Sequence, residues 1–468
     1  MAERMLRFVA DAQQPPEKRP AGTRARDFGE VYAGYAAAKA AEQASRCSQC
    51  GVPFCQVHCP LSNNIPDWLK LTAEGRLEEA YALSASTNAM PEICGRICPQ
   101  DRLCEGNCVI EQSGHGTVTI GAIEKYLTET AWAEGWVQPV KPRRLLNASV
   151  GIIGAGPAGL AAAEALRITG YKVTVYDRHD RAGGLLIYGI PNFKLEKDVV
   201  ARRVRRLEDG GVTFKLGTNV TSLADMRARH DVVLIAAGTY RAKELDAPGG
   251  HLKHIIPALE YLIASNRRGL GDDVPAGQLD AKNKRVAVIG GGDTAMDCVR
   301  TAVRQGAKSV TCLYRRDREN MPGSLREVAN AEEEGVVFEW LSVPKGFAAR
   351  GVRIARARLG QPDTSGRRTP QEIDGSEDLF AAGLVIKALG FDAEDLPRLL
   401  DAPGLGVSKS GTLAVDRDLA TTMEGVFAAG DIVRGASLVV WAIKDGRDAA
   451  ASIHRYLKAK TPMLEAAQ

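Results

Sequence analysis

Two strand–glycine loop–helix–strand units, preceded by a cysteine-rich segment, predict an α/β protein: two Rossmann-like domains behind a mostly α-helical domain. The first unit, SVGIIGAGPAGLAAAEALRITGYKVTVYD, starts at Ser149, and the second, RVAVIGGGDTAMDCVRTAVRQGAKSVTCLYRR, starts at Arg285. Most of the 10 cysteines lie between Cys47 and Cys108. A chain of 468 residues is long enough for roughly three domains.

The composition is that of an ordinary globular protein. Hydrophobic residues make up 45% of the chain and charged residues 25%, and the net charge is +4. This charge is too small to indicate nucleic acid binding, and no apolar run reaches the ~20 residues that a membrane span needs. The N-terminal segment MAERMLRFVADAQQPPEKRP lacks the apolar core of a signal peptide. The sequence therefore predicts a cytoplasmic protein that binds neither nucleic acid nor membranes.

Two cysteine runs, CSQCGVPFCQVHCP and CGRICPQDRLCEGNC, indicate bound metal. The first has the spacing C-x2-C-x4-C-x3-C-P, close to the C-x2-C-x2-C-x3-C-P of bacterial ferredoxins. In a chain with no export signal, crowded cysteines favour metal over disulfides. Eight thiolates match two 4Fe–4S clusters, although two structural zinc sites are an alternative. The candidate ligands are Cys47, Cys50, Cys55, Cys59, Cys94, Cys98, Cys104 and Cys108.

The segments around the cysteines have helical patterns. EVYAGYAAAKAAEQASRC leads into the first run, and IPDWLKLTAEGRLEEAYALSAST joins the two runs. Glu124 lies in a third helical stretch, IGAIEKYLTETAWAEG, where a solvated helix charge is its simplest interpretation. Residues 1–146 are therefore predicted to form a small, mostly α-helical domain that ends in a proline-containing linker.

The first glycine loop predicts a dinucleotide site. Gly154 permits the tight turn, Gly156 lets a pyrophosphate approach the backbone, and Gly159 lets the helix pack closely on the strand. The helix N-terminus offers N–H groups and a positive dipole end to the phosphates. Asp177 ends the second strand, where an acid can hold ribose hydroxyls.

Three further segments are predicted to lie against the first nucleotide. RHDRAGGLLIYGIPNFKL, which holds Gly184 and Leu185, has the glycines of backbone lying on a ligand, although a flexible loop would also carry them. A strand ends at Gly238 in a turn of small residues. Another strand runs into Gly430 and Asp431. The Asp431 carboxylate could accept hydrogen bonds from a flavin's ribityl hydroxyls, or be an ordinary acid at a helix start.

The second glycine loop predicts a second, different dinucleotide. Its strand ends in Arg315 and Arg316 where the first unit has an acid, and arginine accommodates a 2′-phosphate, so NADPH is preferred to NADH. A surface arginine pair is the alternative. The strand LVIKALGF then ends at Gly390, repeating the plan of the first unit. The predicted NADPH contacts are Gly290, Gly292, Asp293, Thr294, Ala295, Arg315, Arg316 and Gly390.

The two remaining cysteines argue against one alternative class. Cys298 and Cys312 stand alone, and neither nucleotide unit holds a Cys-x-x-Cys or Cys-x4-Cys pair. Disulfide reductases of the thioredoxin reductase kind need such a pair. Both cysteines are therefore predicted to be small buried core residues.

The order of these motifs resembles the small (β) subunit of bacterial NADPH-dependent glutamate synthase. The two cysteine runs with their flanking residues are the specific part of the likeness, because the glycine motifs are common. The likeness covers nearly the whole chain, in RCSQCGVPFCQVHCP, PEICGRICPQDRLCEGNC, GAGPAGLAAA, GGGDTAMDC, LYRRDRENMP and GVFAAGDIVRGASLVVWAIKDGRDAA.

The resemblance implies FAD in the first site, NADPH in the second and two low-potential 4Fe–4S clusters before them. A flavin beside the cysteines favours iron–sulfur over zinc, since zinc has no redox role. The predicted domains are a cluster domain at 1–146, a FAD-binding domain at 147–241 and 393–468, and an inserted NADPH-binding domain at 242–392. The predicted FAD contacts are Gly154, Gly156, Gly159, Asp177, Gly184, Leu185, Gly238, Gly430 and Asp431.

The N-terminal half is also similar to that of dihydropyrimidine dehydrogenase, in which one cluster takes a glutamine ligand from the helix after the second cysteine run. Glu124 occupies the matching place, so it competes with Cys94 for the eighth ligand position. The likeness implies crossed ligation. One cluster would take Cys47, Cys50, Cys55 and Cys108, and the other Cys59, Cys98 and Cys104.

The resemblance implies an electron-input subunit. NADPH would pass a hydride to FAD, and single electrons would leave through the clusters to a large partner subunit that forms glutamate from glutamine and 2-oxoglutarate. One alternative is a flavin and iron–sulfur subunit that serves another partner, such as a ferredoxin or a pyrimidine reductase. A second alternative is a redox sensor or scaffold protein whose clusters are purely structural. The two intact glycine loops disfavour this alternative.

Overall fold

The computed structural model describes residues 6–275, 277, 279–362 and 368–465. The N-terminal part is largely helical, as predicted, and its apolar faces meet in a core that includes Trp68 and Ile123. A 3₁₀ turn spans Gln100–Arg102. The helices here are α1 (Arg7–Ala10), α2 (Ala21–Arg24), α3 (Ala37–Ser45), α4 (Phe54–Val57), α5 (Ile65–Ala73), α6 (Leu77–Thr87), α7 (Pro91–Ile97), α8 (Val109–Gln112) and α9 (Ile120–Ala133).

Two of the helical patterns form shorter helices than the sequence predicts. The stretch between the cysteine runs divides into α5 and α6 at Gly75, whose φ of +75° suits glycine. The alanine-rich pattern before the first run is helical only in α3, because Tyr32 pairs with Lys18 in an antiparallel bridge. The chain ahead of α3 therefore forms a strap (residues 11–36) in which α2 is the only helix among the described residues.

After residue 148 the chain is mixed, and each glycine loop joins a strand to a helix that leads into the next strand, as the motifs predict. The strands are β1 (Ser149–Ile153), β2 (Lys172–Tyr176), β3 (Thr213–Lys215), β4 (Val232–Ile235), β5 (Arg241–Ala242), β6 (Ile255–Pro257), β7 (Arg285–Ile289), β8 (Ser309–Leu313), β9 (Val337–Glu339), β10 (Ser342–Ala348), β11 (Gly351–Pro362), β12 (Arg368–Glu372), β13 (Asp378–Ala381), β14 (Leu384–Lys387), β15 (Phe391–Asp392) and β16 (Val426–Ala428). The helices are α10 (Pro157–Thr169), α11 (Leu185–Tyr188), α12 (Lys197–Asp209), α13 (Leu223–Arg229), α14 (Ala258–Gly269), α15 (Asp293–Arg304), α16 (Leu325–Glu333), α17 (Leu396–Leu399), α18 (Asp431–Arg434) and α19 (Val439–Glu465).

Two parallel five-stranded sheets carry the two glycine loops. The first has the order β16-β4-β1-β2-β3 and the second the order β6-β14-β7-β8-β9, so each loop follows a strand flanked on both sides. Strands β5 and β15 pair where the chain passes between the two sheets. Strands β10 to β13 form a separate antiparallel sheet. The predicted fold class is confirmed by this arrangement.

Helix α19 packs closely on helix α10, the helix of the first glycine loop. A Cβ added at Gly446 of α19 would lie 2.1 Å from the Ala158 carbonyl oxygen of α10, so only glycine permits the approach. Among the described residues, none of the helices combines the length and apolarity needed to cross a membrane.

The strap links the N-terminal helices to the domain of the second sheet through buried ion pairs. Glu334 accepts hydrogen bonds from Arg24 of the strap and from Arg300 and Arg304 of α15. The Arg304 guanidinium lies 3.9 Å from the ring centre of Phe193, which belongs to the first sheet's domain. A buried carboxylate is stable only when charged donors supply its hydrogen bonds, as these arginines do. The network therefore fixes three parts of the chain against one another.

Candidate functional site

The first glycine loop opens onto a cavity of about 400 Å³ at the carboxyl ends of its sheet. Open α/β sheets bind ligands at this edge. Six of the predicted contacts line the cavity, namely Gly154, Gly156, Asp177, Leu185, Gly238 and Asp431. The cavity is long enough to run from the glycine loop to the start of α19, where Leu438 and Val439 line it.

The three loop glycines have three different surroundings. Gly154 has a φ of +112°, and a Cβ there would lie 2.3 Å from the Ala236 carbonyl oxygen. A Cβ on Gly159 would lie 1.9 Å from the Gly154 carbonyl oxygen. A Cβ on Gly156 would meet no atom of the described residues within 4 Å. The loop thus needs Gly154 and Gly159 for its own packing, while the free space at Gly156 fits a pyrophosphate.

Two acids line this cavity. Asp177 is buried, and its carboxylate accepts hydrogen bonds from the backbone N–H groups of Ala155 at 2.7 Å and His179 at 2.8 Å. Asp431 Oδ1 accepts a hydrogen bond from Ser437 Oγ at 2.7 Å, and burial raises the Asp431 pKa. Both carboxylates are held by neutral donors, an arrangement that suits sugar and ribityl hydroxyls as ligands.

Three predicted FAD contacts lie behind the cavity wall. Gly159 packs on the loop carbonyl described above, a Cβ on Gly184 would lie 2.9 Å from the Gly156 Cα, and one on Gly430 would lie 2.8 Å from the Ala158 Cβ. Both Gly184 and Gly430 have positive φ, +55° and +80°. These glycines therefore shape the wall through close packing.

The sequence did not predict one part of the cavity. The Arg178 guanidinium lies over the Tyr240 ring, 4.6 Å from the centre of that ring. Arg178 also donates two hydrogen bonds of 2.9 Å to the Glu394 carboxylate. All three side chains line the cavity. The position of Arg178 directly after Asp177 was an available signal, whereas Glu394 lies more than 200 residues away and no local pattern marks it.

The second glycine loop repeats the geometry of the first. Gly290 has a φ of +137°, and its Cβ would lie 2.2 Å from the Ala388 carbonyl oxygen, whereas a Cβ on Gly292 would meet nothing within 4 Å among the described residues. Asp293 and Thr294 start α15, and Ala295 is buried beneath them. Gly390 has a φ of +96°. The free space is again at the middle glycine, where a pyrophosphate approaches.

The two arginines after β8 stand at the rim of the second loop. Arg315 is exposed, and Arg316 Nε donates a hydrogen bond to the Arg368 carbonyl oxygen at 3.1 Å.

Cys298 and Cys312 of the same domain are fully buried free thiols, and burial raises the Cys312 pKa to about 12. Inert buried thiols carry no disulfide chemistry.

The eight N-terminal cysteines gather around two small cavities. Each cavity draws on both cysteine runs. Cys47, Cys50, Cys55 and Cys108 line one cavity; Cys59, Cys94, Cys98 and Cys104 line the other together with Glu124. Glu124 is buried and accepts hydrogen bonds at Oε1 from Ser84 and Asn88, so the prediction that it is a solvated helix charge is wrong. The sequence around Glu124 gave no sign of this burial, because its two donors lie elsewhere in the chain. Ser84 is in α6 and Asn88 directly follows α6, whereas Glu124 is in α9.

Four thiols line each cavity, a donor set that either a 4Fe–4S cluster or a zinc ion takes. Among the described residues, no group of three or more histidine, cysteine, aspartate or glutamate side chains is arranged to hold a single metal ion. Zinc needs its thiolates about 2.3 Å from one point, whereas an iron–sulfur cluster holds them apart around a cube. Burial raises the pKa of Cys55 to about 12, so the thiol must lose its proton as metal binds.

Comparison with known proteins identifies both halves of the chain. Residues 24–136 match the family described as dihydropyrimidine dehydrogenase domain II, 4Fe–4S cluster, and residues 148–446 match pyridine nucleotide-disulphide oxidoreductase. The glutamate synthase (NADPH) small chain of Azospirillum brasilense is 64% identical over 470 residues, 98% of this chain and 97% of the relative. That of Escherichia coli is 44% identical over 98% of this chain and 100% of the relative.

The chain belongs to the glutamate synthase small-chain family. The predicted family is therefore confirmed, as is the prediction of an oxidoreductase subunit with an N-terminal 4Fe–4S domain. A solved structure of Mycobacterium tuberculosis FprA in complex with NADPH matches this small chain with a TM-score of 0.57 and 20% identity, over 68% of this chain and 86% of that one. The likeness shows that the two share the α/β fold.

Proposed function

We propose that this chain is the electron-input subunit of a glutamate synthase, which takes electrons from NADPH and delivers them to a large partner subunit. The observation that carries this proposal is the serial arrangement of the cavities. Leu438 and Val439 line the cavity of the first glycine loop, and the next residue, Val440, lines the cavity of Cys59, Cys94, Cys98 and Cys104. Ile120 lines both thiol cavities. The three sites are therefore neighbours in a row.

The first cavity is proposed to hold FAD. Gly154 and Gly156 would carry the pyrophosphate on the start of α10, and the neutral donors around Asp177 orient its carboxylate toward ribose hydroxyls. Asp431 would accept from ribityl hydroxyls. The FAD-binding domain would comprise residues 147–241 and 393–468. When bound, FAD supplies the conversion between two-electron and one-electron transfer.

The second glycine loop is proposed to hold NADPH, in an inserted domain at residues 242–392. Gly290 and Gly292 would bring the pyrophosphate to the start of α15. Arg315 and Arg316 would bind the 2′-phosphate, since guanidinium fits phosphate oxygens and carries no penalty when exposed. Gly390 leaves space above the neighbouring strand end, β14, for the nicotinamide half.

The thiol cavities are proposed to hold two 4Fe–4S clusters, within a cluster domain at 1–146. Cys47, Cys50, Cys55 and Cys108 would ligate the outer cluster. The inner cluster would take Cys59, Cys98 and Cys104, with Glu124 or Cys94 as the fourth ligand. Ile120 lines both thiol cavities, and Val440 of the inner one follows directly in sequence two residues that line the first cavity. When bound, the clusters carry single electrons.

Electrons would leave at an apolar surface beside the outer thiol cavity. Val52, Phe54 and Val57 have 62%, 43% and 63% of their surface exposed, and Phe54 also lines that cavity. Exposed apolar clusters of this kind mark interaction surfaces. The name small chain, carried by the relatives, supports a large subunit of glutamate synthase as the partner, with glutamate formed there from glutamine and 2-oxoglutarate.

The test is anaerobic purification of the tagged chain from its native source, followed by identification of its partner and its metal content. We expect a large glutamate synthase subunit and about eight irons per chain, from two clusters of four. A different electron acceptor in the complex would overturn the glutamate assignment. A complex that NADPH cannot reduce would overturn the electron-input role altogether.

A further inference from the structure

The short segment between Cys98 and Cys104 reaches out of the cluster-side helices to the second nucleotide domain. Gln100 Oε1 accepts a hydrogen bond from Arg326 at 2.9 Å. The Asp101 carboxylate accepts from Ser324 Oγ at 3.3 Å and from the Leu325 backbone N–H at 3.2 Å. Arg102 Nη2 lies 3.2 Å from Asp293 Oδ2. Three consecutive residues beside candidate cluster ligands thus contact the NADPH-binding domain.

The segment is held rigidly on its own side. The Gln100 carbonyl oxygen accepts hydrogen bonds from the backbone N–H groups of Leu103, Glu105 and Gly106 at 2.9 to 3.1 Å. A Cβ on Gly106 would lie 1.8 Å from the Asp101 carbonyl oxygen, so the turn is closed as tightly as glycine allows. A turn fixed in this way holds the side chains of Asp101 and Arg102 in place.

On the other side, these contacts end at the second glycine loop. Asp293 is the first residue of α15, and its Oδ1 accepts a hydrogen bond from the Ser324 backbone N–H at 2.9 Å. The Gly323 N–H donates to the Gly291 carbonyl oxygen at 2.9 Å. The loop before α16 is therefore fastened to the glycine loop, and Asp101 caps it from the cluster side.

The charge at this point is unusual for a phosphate site. A carboxylate on the first residue of α15 repels the pyrophosphate that the helix N-terminus would otherwise attract. Arg102 pairs with that carboxylate, and both side chains are accessible, with 44% and 37% exposed. A guanidinium has five donors in a fork, so it can hold Asp293 and a phosphate oxygen together.

We propose that Arg102 is an NADPH-binding residue contributed by the cluster domain, which neutralises Asp293 and contacts the pyrophosphate of the bound dinucleotide. The inference rests on the proposed NADPH site and adds to it a residue from outside the nucleotide domain. It follows that one wall of the proposed NADPH site is formed by the segment between Cys98 and Cys104, two of the candidate cluster ligands. NADPH affinity then depends on the cluster domain being folded.

The experiment measures NADPH and NADH oxidation with a dye acceptor, and NADP⁺ binding by difference absorbance of the flavin, in the complete complex. We expect Arg102→Ala to raise the KM for NADPH about tenfold, as loss of a charge-assisted hydrogen bond does. The kcat should change less than about twofold. The KM for NADH should rise by the same factor, because both dinucleotides carry the pyrophosphate. Arg102→Lys should recover part of the loss.

The matched control is Arg76→Ala, which removes an equal charge from an exposed pair with Glu79 in the same domain. It should leave both KM values unchanged. An unchanged KM in Arg102→Ala, or a loss restricted to NADPH, would overturn the proposal. Should Arg102→Ala lose iron, Arg102→Gln at full iron content decides by the same criteria. Failure of NADPH to reduce the wild-type complex would instead sink the proposed function.

Discussion

Lys194 Nζ lies 2.9 Å from Asp297 Oδ1, so a lysine of the first nucleotide domain pairs with an aspartate on helix α15 of the second. Burial raises the Asp297 pKa to about 6 even with the lysine beside it. Glu327 of α16 lies 3.7 Å from the same Lys194 Nζ. One buried cation thus holds two helices of the second domain against the first.

Replacing Lys194 with methionine should destabilise the protein in a pH-dependent way. A buried carboxylate that loses its cation costs several kcal/mol if it stays ionised, but much less if it is protonated. In the wild-type protein the Asp297 pKa is about 6, so the carboxyl group becomes neutral below that pH and Lys194 contributes less; without the lysine the Asp297 pKa is higher still. We expect Lys194→Met to lower the Tm by about 5 °C or more at pH 8 and by clearly less at pH 5.5. Thermal unfolding at both pH values measures this.

The control for that experiment is Lys18→Met. Lys18 pairs with Glu333 in a partly exposed pair, which contributes little to stability. Its Tm should change by no more than a degree or two at either pH. An equal decrease in Tm in the two variants would show that the buried Lys194–Asp297 pair stabilises the protein no more than an exposed pair does.

Two glycines of the first loop should respond differently to alanine. Gly156→Ala adds a Cβ where no described atom lies within 4 Å, so the protein should fold but bind FAD at least about tenfold more weakly, because the methyl group takes the pyrophosphate's space. Flavin content and FAD titration of the apoprotein measure this. A full complement of tightly bound flavin in Gly156→Ala would contradict the assignment.

Gly159→Ala is the matched comparison. Its Cβ would lie 1.9 Å from the Gly154 carbonyl oxygen, so the strand and helix must separate. We expect a lower Tm in the flavin-free protein as well, whereas Gly156→Ala should leave the flavin-free Tm unchanged. Circular dichroism melting of the two apoproteins separates a packing role from a binding role.

The fold and the glycine loops could be predicted because their signals are local. A strand, a glycine turn and a helix follow one another within about 30 residues of sequence, and each glycine has a backbone reason that no other residue meets. Asp177 and Asp431 were found in the same way, since Asp177 directly follows β2 and Asp431 comes three residues after the end of β16. The cysteine runs showed that metal binds, because spacing within a run is also local.

The pairing of distant residues could not be predicted from the residues alone. Nothing near Glu394 indicates that it holds Arg178, and nothing near Asp101 indicates that it caps α16 in another domain. Which cysteines share a cavity depends on how the helices between the runs pack, and Gly75 breaks the helix that the pattern predicted there. Tertiary contacts of this kind decide site composition.

The two arginines after β8 should determine cofactor preference. Replacing Arg315 and Arg316 with alanine removes the cations proposed for the 2′-phosphate, which NADH lacks. We expect kcat/KM for NADPH to fall about 100-fold, equivalent to about 3 kcal/mol, and that for NADH to change less than about threefold. Steady-state dye reduction with both dinucleotides measures the ratio. Equal losses for the two would show that the arginines do not read the 2′-phosphate.

The fourth ligand of the inner cluster should be Glu124. Its two hydrogen bonds both fall on Oε1, whereas Cys94 Sγ lies 3.7 Å from the Asn88 Oδ1 that accepts its thiol hydrogen. A thiol that already donates to an amide oxygen would have to give up that hydrogen bond in order to ligate the cluster. We expect Glu124→Ala to alter the spectrum of one reduced cluster and Cys94→Ser to leave both unchanged, by electron paramagnetic resonance of reduced samples.

Cys98→Ala is the positive control for the inner cluster. It should remove cluster iron yet leave FAD bound, because the flavin cavity is lined by other elements. The reverse pattern, in which Cys94→Ser perturbs the spectrum and Glu124→Ala does not, would assign the ligand to Cys94. Loss of flavin from Cys98→Ala would mean that the cluster domain supports the whole fold.

Lys197 should make the stability of the protein rise with pH. Its amino group is buried and donates hydrogen bonds to the Leu186 and Ile190 carbonyl oxygens, and burial lowers its pKa from 10.5 to about 7. Between these two values the unfolded chain binds a proton that the folded chain does not, so unfolding becomes less favourable as the pH rises, by up to about 1.4 kcal/mol per pH unit. Lys197→Met abolishes the linkage. We expect the wild-type Tm to rise relative to that of Lys197→Met between pH 7 and pH 9, and parallel profiles would show that the lysine stays charged when folded.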